Sequence, residues 1–306
     1  MRTREGAIDR FVNLSEITEI ELLILKRMRT ITAGEHRSQA HGSGFDFLGL
    51  RDWQAGDRFS SIDWGQSSLN NFMPLVVREY EQPSNANVTV IADASLSTRC
   101  GVDGTQIAHT IAWAIATIGM SAVFYQDLFG LITFDAGFDH LAAVNARIGK
   151  RQVIHCLDAY QTGKSMRDLK RAESLSQTLS AVLGRPGLVP VISDFLFDDW
   201  RDVLRELNFV NTKHDVVIVL IDAAFAFDMP PVRSGWITVV DVETGRSRVV
   251  SRATLHKMSE RVRTWQDEVQ HAAKQIGFDV LRLGTDRTQR EVALVEFVAE
   301  RRLRRR

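Results

Sequence analysis

Short apolar segments alternate with longer helical patterns from residue 87 to the end of the chain, and this alternation constrains the fold more than any other feature. Residues 87–93, 128–134, 188–194 and 215–222 are rich in Val, Ile and Leu and carry few charges. Runs of this length and composition are typical of strands that are covered on both faces. Strands that alternate with helices predict an α/β fold with a doubly wound, mostly parallel sheet, of the Rossmann-like kind.

The remaining patterns complete this sheet and its helices. Helical patterns lie at residues 104–122, 147–160, 173–184, 200–209, 253–276 and 287–302. Residues 236–242 and 247–250 predict a β-hairpin, and residues 279–283 predict a last strand. The most apolar stretch, residues 107–124, is only marginally long enough to span a bilayer, so we expect a buried core helix and no integral membrane segment.

The first 85 residues have a different character. Residues 14–31 have the apolar spacing of a helix, and residues 75–80 predict a strand. Between them, residues 32–72 are rich in Gly, Ser, Asp and Arg and show little periodicity. We therefore divide the chain into an N-terminal helix with an accessory segment, residues 1–85, and an α/β domain, residues 86–306.

Charge and cysteine content limit the function classes. Lys and Arg together number 38, as do Asp and Glu, so the formal net charge is zero and no global field attracts nucleic acid or an anionic membrane. Two cysteines, Cys100 and Cys156, cannot form a disulfide framework, and the N-terminus lacks the apolar core of a secretory signal. These features favour a cytoplasmic protein that binds no nucleic acid.

Hydroxyl and carboxylate side chains follow two of the predicted strands. Asp93, Ser95 and Ser97 follow the first core strand, and Asp194 ends a later one. Since ligands of open parallel sheets bind beyond the carboxyl ends of the strands, these oxygens are candidate ligands of a hard cation such as Mg2+. The alternative is that Asp93 and Ser95 only cap the turn or helix that follows.

The same residues resemble known families. Asp93-Ala-Ser95-Leu-Ser97 after a buried strand resembles the metal-ion-dependent adhesion site of von Willebrand factor A domains. The chain also resembles the domain of unknown function 58 family, which joins a von Willebrand factor A-like domain to an upstream segment. This second resemblance lies in residues 44–57, 62–64, 77–79, 192–195 and 241–245.

The resemblance implies a metal-dependent site for recognising proteins. Asp93, Ser95 and Ser97 would hold Mg2+ or Mn2+ with help from Asp194, and an acidic residue of a partner would complete the coordination shell. The family's pattern also has a Thr before the second Asp, and Ser174 is the hydroxyl nearest to that place, with Thr162 and Ser165 as the other candidates. Family members occur beside MoxR-type AAA+ ATPases, which implies an assembly or chaperone role with such an ATPase or its client.

Two other functions fit the same residues. Asp93, Asp194, Asp198 and Asp199 could hold the metal ions of a phosphohydrolase or nuclease, although Asp198 and Asp199 also suit the start of the helix near residue 200. A dehalogenase-type phosphatase is excluded, because its second Asp would stand where this chain has Ser95. The third reading is a structural scaffold whose metal site has decayed. We expect a non-enzymatic protein.

The accessory segment carries its own charged cluster. Arg51, Asp57, Asp63, Trp64 and Arg78 alternate acids and arginines close to aromatic residues. Such residues predict a buried, charge-assisted network that fixes an irregular segment, and the alternative is a surface that contacts a partner.

Overall fold

The structure is a computed structural model, and it forms two compact units. It describes residues 11–35, 47–55, 57, 59–80, 86–102, 105–135, 138–170, 172–227, 235–240, 246–284, 292–297 and 301. One unit comprises Met1–Ile31 and Ala86–Arg306, and the other comprises Thr32–Asn85. The N-terminal helix, which we grouped with the accessory segment, thus counts with the larger unit.

The described elements follow the predicted alternation. The helices are α1 (Leu14–Glu35), α2 (Trp64–Leu69), α3 (Ile107–Phe124), α4 (Lys150–Thr162), α5 (Leu175–Leu183), α6 (Trp200–Asn211) and α7 (Arg252–Ile276), and residues 292–297 are also helical. The strands are β1 (Phe47–Asp52), β2 (Val76–Tyr80), β3 (Asn87–Asp93), β4 (Gly101–Val102), β5 (Thr105–Gln106), β6 (Leu128–Phe134), β7 (Leu141–Arg147), β8 (Arg167–Asp168), β9 (Gly187–Ser193), β10 (Asp215–Ile221), β11 (Trp236–Val240), β12 (Ser247–Ser251) and β13 (Asp279–Leu283).

The larger unit is built on a mostly parallel sheet in the order β13-β10-β9-β3-β6-β7-β8. The strands from β13 to β6 run parallel, whereas β7 and β8 pair antiparallel. The chain adds β6, β7 and β8 on one side of β3 and then returns to add β9, β10 and β13 on the other. The strand order therefore reverses between β3 and β9, which is the place where such sheets bind ligands.

Two hydrophobic layers cover the sheet. Alternate residues of β3 point to opposite layers, with Val90 and Ala92 in one and Ile91 in the other. Apolar residues of α1, α3 and α4 pack in the first layer, and those of α5, α6 and α7 pack in the second. By length and composition α3 could cross a membrane, but 83% of it is buried inside the protein, as expected of a core helix.

The main differences from the sequence-based prediction concern β7, and also β1 and α2, which lie in the segment 32–72 that showed little periodicity. Strand β7 was not predicted, because its sequence Leu-Ala-Ala-Val-Asn-Ala-Arg has neither a β-branched run nor strict alternation. The hairpin is confirmed as β11 paired antiparallel with β12. The last predicted helix, 287–302, lies partly outside the described residues, which are helical at 292–297.

The smaller unit pairs β1 with β2 antiparallel. Arg51 makes two hydrogen bonds to the carboxylate of Asp57, of 2.7 and 2.8 Å. Asp63 caps α2 by accepting a hydrogen bond from the Gln66 amide. Trp64 is 57% exposed. The prediction that Trp64 belongs to a buried network is therefore wrong.

Candidate metal centre

Asp93 ends β3 with every oxygen engaged. Its side chain is fully buried, Oδ1 accepts a 2.9 Å hydrogen bond from the Ser95 amide, and Oδ2 accepts one of 2.6 Å from Ser193 Oγ. Its main-chain carbonyl accepts a 2.8 Å hydrogen bond from the hydroxyl of Tyr160 on α4. The carboxylate is therefore held by the loop after β3 and by the end of β9, and the Asp93 carbonyl is held by a helix of the first layer.

Ser95 and Ser97 present their hydroxyls to each other beyond β3. The two Oγ atoms are 2.9 Å apart, and Thr98 Oγ1 donates a 2.7 Å hydrogen bond to the carbonyl of Ser95. Adjacent ligands of an octahedral Mg2+ ion, with bonds of 2.0–2.1 Å, are about 3 Å apart. The serine pair has the spacing of two such ligands.

Asp194 follows β9 and is 1% exposed. Its Oδ1 accepts a 3.0 Å hydrogen bond from the Leu196 amide, whereas its buried Oδ2 has no hydrogen-bond partner among the described residues. Buried polar atoms are almost always satisfied, so an unpartnered carboxylate oxygen calls for a bound proton, a water or a cation.

Both carboxylates have raised pKa values, mainly because they are buried. Burial, and after it the negative charge of Asp93, raises the pKa of Asp194 to about 7, against the hydrogen bond from the Leu196 amide. Burial also raises the pKa of Asp93, against hydrogen bonds from Ser193 and Ser95. Tyr160 has a raised pKa because it is buried and faces both acids. Asp93 and Asp194 thus stand at the ends of adjacent parallel strands, where the charge of Asp93 acts on Asp194.

The other sequence candidates lie in different surroundings. Ser174 caps α5 and hydrogen-bonds with Gln177 and Ser176, and the Ser176 amide donates to Glu206 of α6. Thr162 donates to the carbonyl of Asp158 within α4. Asp93, Ser95 and Ser97 follow β3 and Asp194 follows β9, at the same edge of the sheet, whereas the hydrogen bonds of Ser174 and Thr162 are made within α5 and α4.

Two of the four acids of the nuclease alternative, Asp198 and Asp199, lie at the start of a helix. Asp199 occupies the N-cap position of α6, and both Asp198 and Asp199 are exposed. The start of this helix is the position that the sequence offered as the alternative to a metal-binding role for these two acids.

Several residues of the site were missed from the sequence. They are Ser193, which holds Asp93, and Tyr160, Trp265 and Gln266, which hold the backbone on either side. Ser193 stands directly before Asp194 and could have been found, since a hydroxyl at the end of an apolar strand is unusual. The other three reach the site through tertiary packing, which leaves no local signal.

The fold and the site define a mixed α/β protein with two buried acids and two hydroxyls at the carboxyl edge of its sheet. The chain belongs to the family described as "Protein of unknown function DUF58", whose model matches residues 49–273. No curated protein matches the sequence.

Three solved structures resemble parts of the chain. The first is an aerotolerance-related membrane protein of Bacteroides fragilis with multiple mutations to serines, with 13% identity over 71% of this chain and 100% of that one and a TM-score of 0.41. The second is the conserved hypothetical protein BatB of Bacteroides thetaiotaomicron, with 15% identity over 71% of this chain and 100% of that one and a TM-score of 0.38. The third is the pilus adhesin SpaC of Lactobacillus rhamnosus GG, with 12% identity over 72% of this chain and 30% of that one and a TM-score of 0.39. With TM-scores this low, these likenesses support no conclusion about function.

Proposed function

We propose that this chain is a non-enzymatic module that recognises a protein partner through a bound Mg2+ or Mn2+ ion, on a von Willebrand factor A-like domain. Asp93, Ser95, Ser97 and Asp194 would hold the ion. A carboxylate of the partner would occupy a position that the chain leaves open. The ion's chemistry in this role is to join two acidic surfaces that would otherwise repel each other.

The observation that carries the proposal is the pairing of two hydroxyls at ligand spacing with an unpartnered carboxylate oxygen. Ser95 and Ser97 are 2.9 Å apart, and Asp194 Oδ2 is buried without a hydrogen bond among the described residues. Capping of the turn explains Oδ1 of Asp93, which accepts from the Ser95 amide. It does not explain Asp194 Oδ2, so the capping alternative covers only part of the site.

Electrostatics support the same conclusion. Two buried carboxylates that interact cannot both carry charge cheaply in a water-poor site. Both pKa values are raised, mainly by burial. A divalent cation would remove this penalty by compensating both charges, and hard cations take carboxylate and hydroxyl oxygens.

The partner that we propose is a MoxR-type AAA+ ATPase or its client, in the cytoplasm. This step is supported by the family resemblance alone. It is tested by immobilising the purified ATPase and measuring binding of the full chain in Mg2+ and in EDTA. We expect binding that EDTA abolishes, and equal binding in both buffers would contradict a metal-dependent contact.

The metal site is tested by calorimetric titration of the full chain with MgCl2 and MnCl2. We expect one ion per chain in the wild type, and no measurable binding heat for Asp93→Asn, which keeps the size and the acceptor oxygen of the side chain. Asp198→Asn is the matched control, because Asp198 is an exposed carboxylate four residues beyond Asp194. Unchanged binding in Asp93→Asn would refute the assignment.

The enzymatic alternative is decided in the same preparations. The substrates are p-nitrophenyl phosphate and single-stranded DNA, each with Mg2+ or Mn2+. If the wild type hydrolyses either substrate and Asp194→Asn does not, the proposed function is wrong and the protein is a phosphoester hydrolase. Metal binding without turnover supports the recognition module. A wild type that binds neither ion leaves the scaffold reading.

A further inference from the structure

We propose that Trp265 and Gln266, neighbours on α7, are positioning residues that fix the direction of the Asp194 carboxylate by holding the turn after β9. The proposal rests on the proposed function for its consequence in metal binding. The geometry that carries it is independent of any metal, since it concerns the hydrogen bonds of this turn.

The turn after β9 adopts an unfavourable backbone conformation. Phe195 has φ of 54°, in the left-handed region that bulky side chains rarely adopt, and its side chain is fully buried. A residue of this kind costs about 1 kcal/mol or more in that region and persists only where its surroundings determine it. Such outliers cluster at functional sites. The turn therefore needs outside contacts to keep its shape.

Trp265 supplies the first of these contacts. Its indole Nε1–H donates a 2.8 Å hydrogen bond to the carbonyl of Phe195. On the other side of the same residue, the Phe195 amide donates 2.9 Å to Ser193 Oγ. Both peptide groups of the strained residue are thus held, one by its own strand end and one by α7.

Gln266 supplies the second contact. Its side chain is fully buried, and its Nε2 donates to the carbonyls of Asp194, at 2.9 Å, and Ile221, at 2.7 Å. Its Oε1 accepts a 3.3 Å hydrogen bond from the Ala223 amide. One amide side chain therefore ties the carboxyl ends of β9 and β10 together.

The two contacts have a joint effect on Asp194. The carbonyls of Asp194 and of the next residue, Phe195, are both held by α7. The carboxylate projects from the Cα atom that directly precedes these two anchored carbonyls, and its Oδ1 is held by the Leu196 amide in the same turn. Because metal ligands need correct orientation before the ion arrives, loss of either anchor should loosen the Asp194 carboxylate and weaken binding.

Trp200 offers a matched control for Trp265. The two rings pack edge to face with centroids 6.3 Å apart, so Phe at either position perturbs the same aromatic pair. The Nε1 of Trp200 has no hydrogen-bond partner among the described residues, whereas that of Trp265 holds the turn. Trp200 is 1% exposed and Trp265 is half-buried, so Trp200→Phe should lower the melting temperature at least as much.

The deciding experiment is hydrogen exchange of the Leu196 amide by NMR in metal-free protein. We expect exchange to be about tenfold faster in Trp265→Phe and in Gln266→Met, as for a lost or loosened hydrogen bond, and unchanged in Trp200→Phe. Equal acceleration in Trp200→Phe and Trp265→Phe would mean a general loss of stability and would overturn the proposal. No acceleration in Trp265→Phe would overturn it as well.

Mg2+ calorimetry on the same variants gives the second readout. We expect the Kd to rise about 10- to 100-fold in Trp265→Phe and Gln266→Met and to stay constant in Trp200→Phe. If the wild type binds Mg2+ and Trp265→Phe binds equally well, the positioning role is wrong. If the wild type binds no Mg2+, the proposed function fails, and the exchange of Leu196 still decides whether α7 holds the turn.

Discussion

Ser193 Oγ donates a hydrogen bond of 2.6 Å to Asp93 Oδ2, so the residue that precedes one acid of the site holds the other. The same hydroxyl accepts a 2.9 Å hydrogen bond from the Phe195 amide. The two strands that carry these residues, β3 and β9, are adjacent and parallel. A single hydroxyl therefore links the Asp93 carboxylate to the end of β9, directly before Asp194.

Replacing Ser193 with Ala should destabilise the protein by roughly 2–4 kcal/mol. The substitution leaves Asp93 Oδ2 and the Phe195 amide without this partner in a fully buried environment. Each buried group that loses its partner costs about 1–3 kcal/mol, and a charged group costs more. Urea unfolding followed by circular dichroism measures the change.

Ser121→Ala is the control for this variant. Ser121 is equally buried, but its Oγ donates to the carbonyl of Thr117 one turn earlier in α3. That carbonyl also accepts a backbone hydrogen bond in the helix, so removing the Ser121 hydroxyl should lower the free energy of unfolding by less than about 1 kcal/mol. Equal losses for Ser121→Ala and Ser193→Ala would show that Ser193 has no special role at the site.

Stability of the metal-free protein should fall as the pH rises through 7. The pKa of Asp194 is raised from its ordinary value of 3.8 to about 7, so the folded protein binds a proton that the unfolded chain has already released. This stabilisation is fully present below about pH 4 and is lost as the pH passes 7. The raised pKa of Asp93 acts in the same direction.

Asp194→Asn should therefore gain stability over the wild type at pH 8 by roughly 1–3 kcal/mol. The gain is smaller than the pKa shift alone would give, because the new amide is itself buried. Thermal unfolding from pH 5 to pH 8 in EDTA measures it, with Asp198→Asn as an exposed control. A wild type whose stability is flat over this range would contradict the charged, buried state of Asp194.

Mg2+ binding should release a proton and tighten with rising pH. The ion must displace the proton from Asp194, whose pKa is about 7. Below that pKa we expect the Kd to rise about tenfold for each pH unit. Calorimetry at pH 6 in two buffers of different ionisation enthalpy counts the protons, and we expect about one per ion. A Kd that is equal at pH 6 and pH 8 would argue that Asp194 is not a ligand.

The parallel strands of the sheet could be predicted from the sequence almost to the residue. The apolar, β-branched runs of β3, β6, β9 and β10 allow few other structures. Strand β7 was missed because Ala142, Ala143 and Ala146 carry no strand preference, and its place depends on pairing with β6. Helix α1 belongs to the larger unit because Ile17, Ile20 and Ile24 pack into its core. A domain boundary predicted from the order of residues in the sequence cannot show this packing.

The candidate site could be predicted where its residues are local or follow parallel strands. Asp93, Ser95 and Ser97 stand together in the sequence, and the common direction of β3 and β9 implies the meeting of Asp93 with Asp194. The supports from Tyr160 and Gln266 depend on how helices pack against the strand ends. For Ser174, counting along the chain finds a hydroxyl before the right helix but does not show that this hydroxyl caps α5 by accepting from the Gln177 amide.

The core predicts that Gly119→Ala destabilises the protein although Ala is the better helix former. Gly119 lies in α3 where α4 and β6 approach closely, and a Cβ there would lie 2.8 Å from Val153 Cγ1 and 3.0 Å from Phe129 Cζ. Overpacking of this kind costs about 1–3 kcal/mol, which exceeds the helix-propensity gain of about 1 kcal/mol. Urea unfolding measures the loss, and a more stable variant would show that the core has space at this point.

In the smaller unit, Asp63→Ala should weaken α2 without exposing a tryptophan. Asp63 caps the helix by accepting from the Gln66 amide, and loss of such a cap costs about 1 kcal/mol. Hydrogen exchange of Gln66 should therefore quicken about fivefold. Trp64 is already 57% exposed, so its fluorescence should stay constant. Asp52→Ala removes an exposed carboxylate from β1 and should leave Gln66 unchanged, and equal quickening in both variants would refute the capping role.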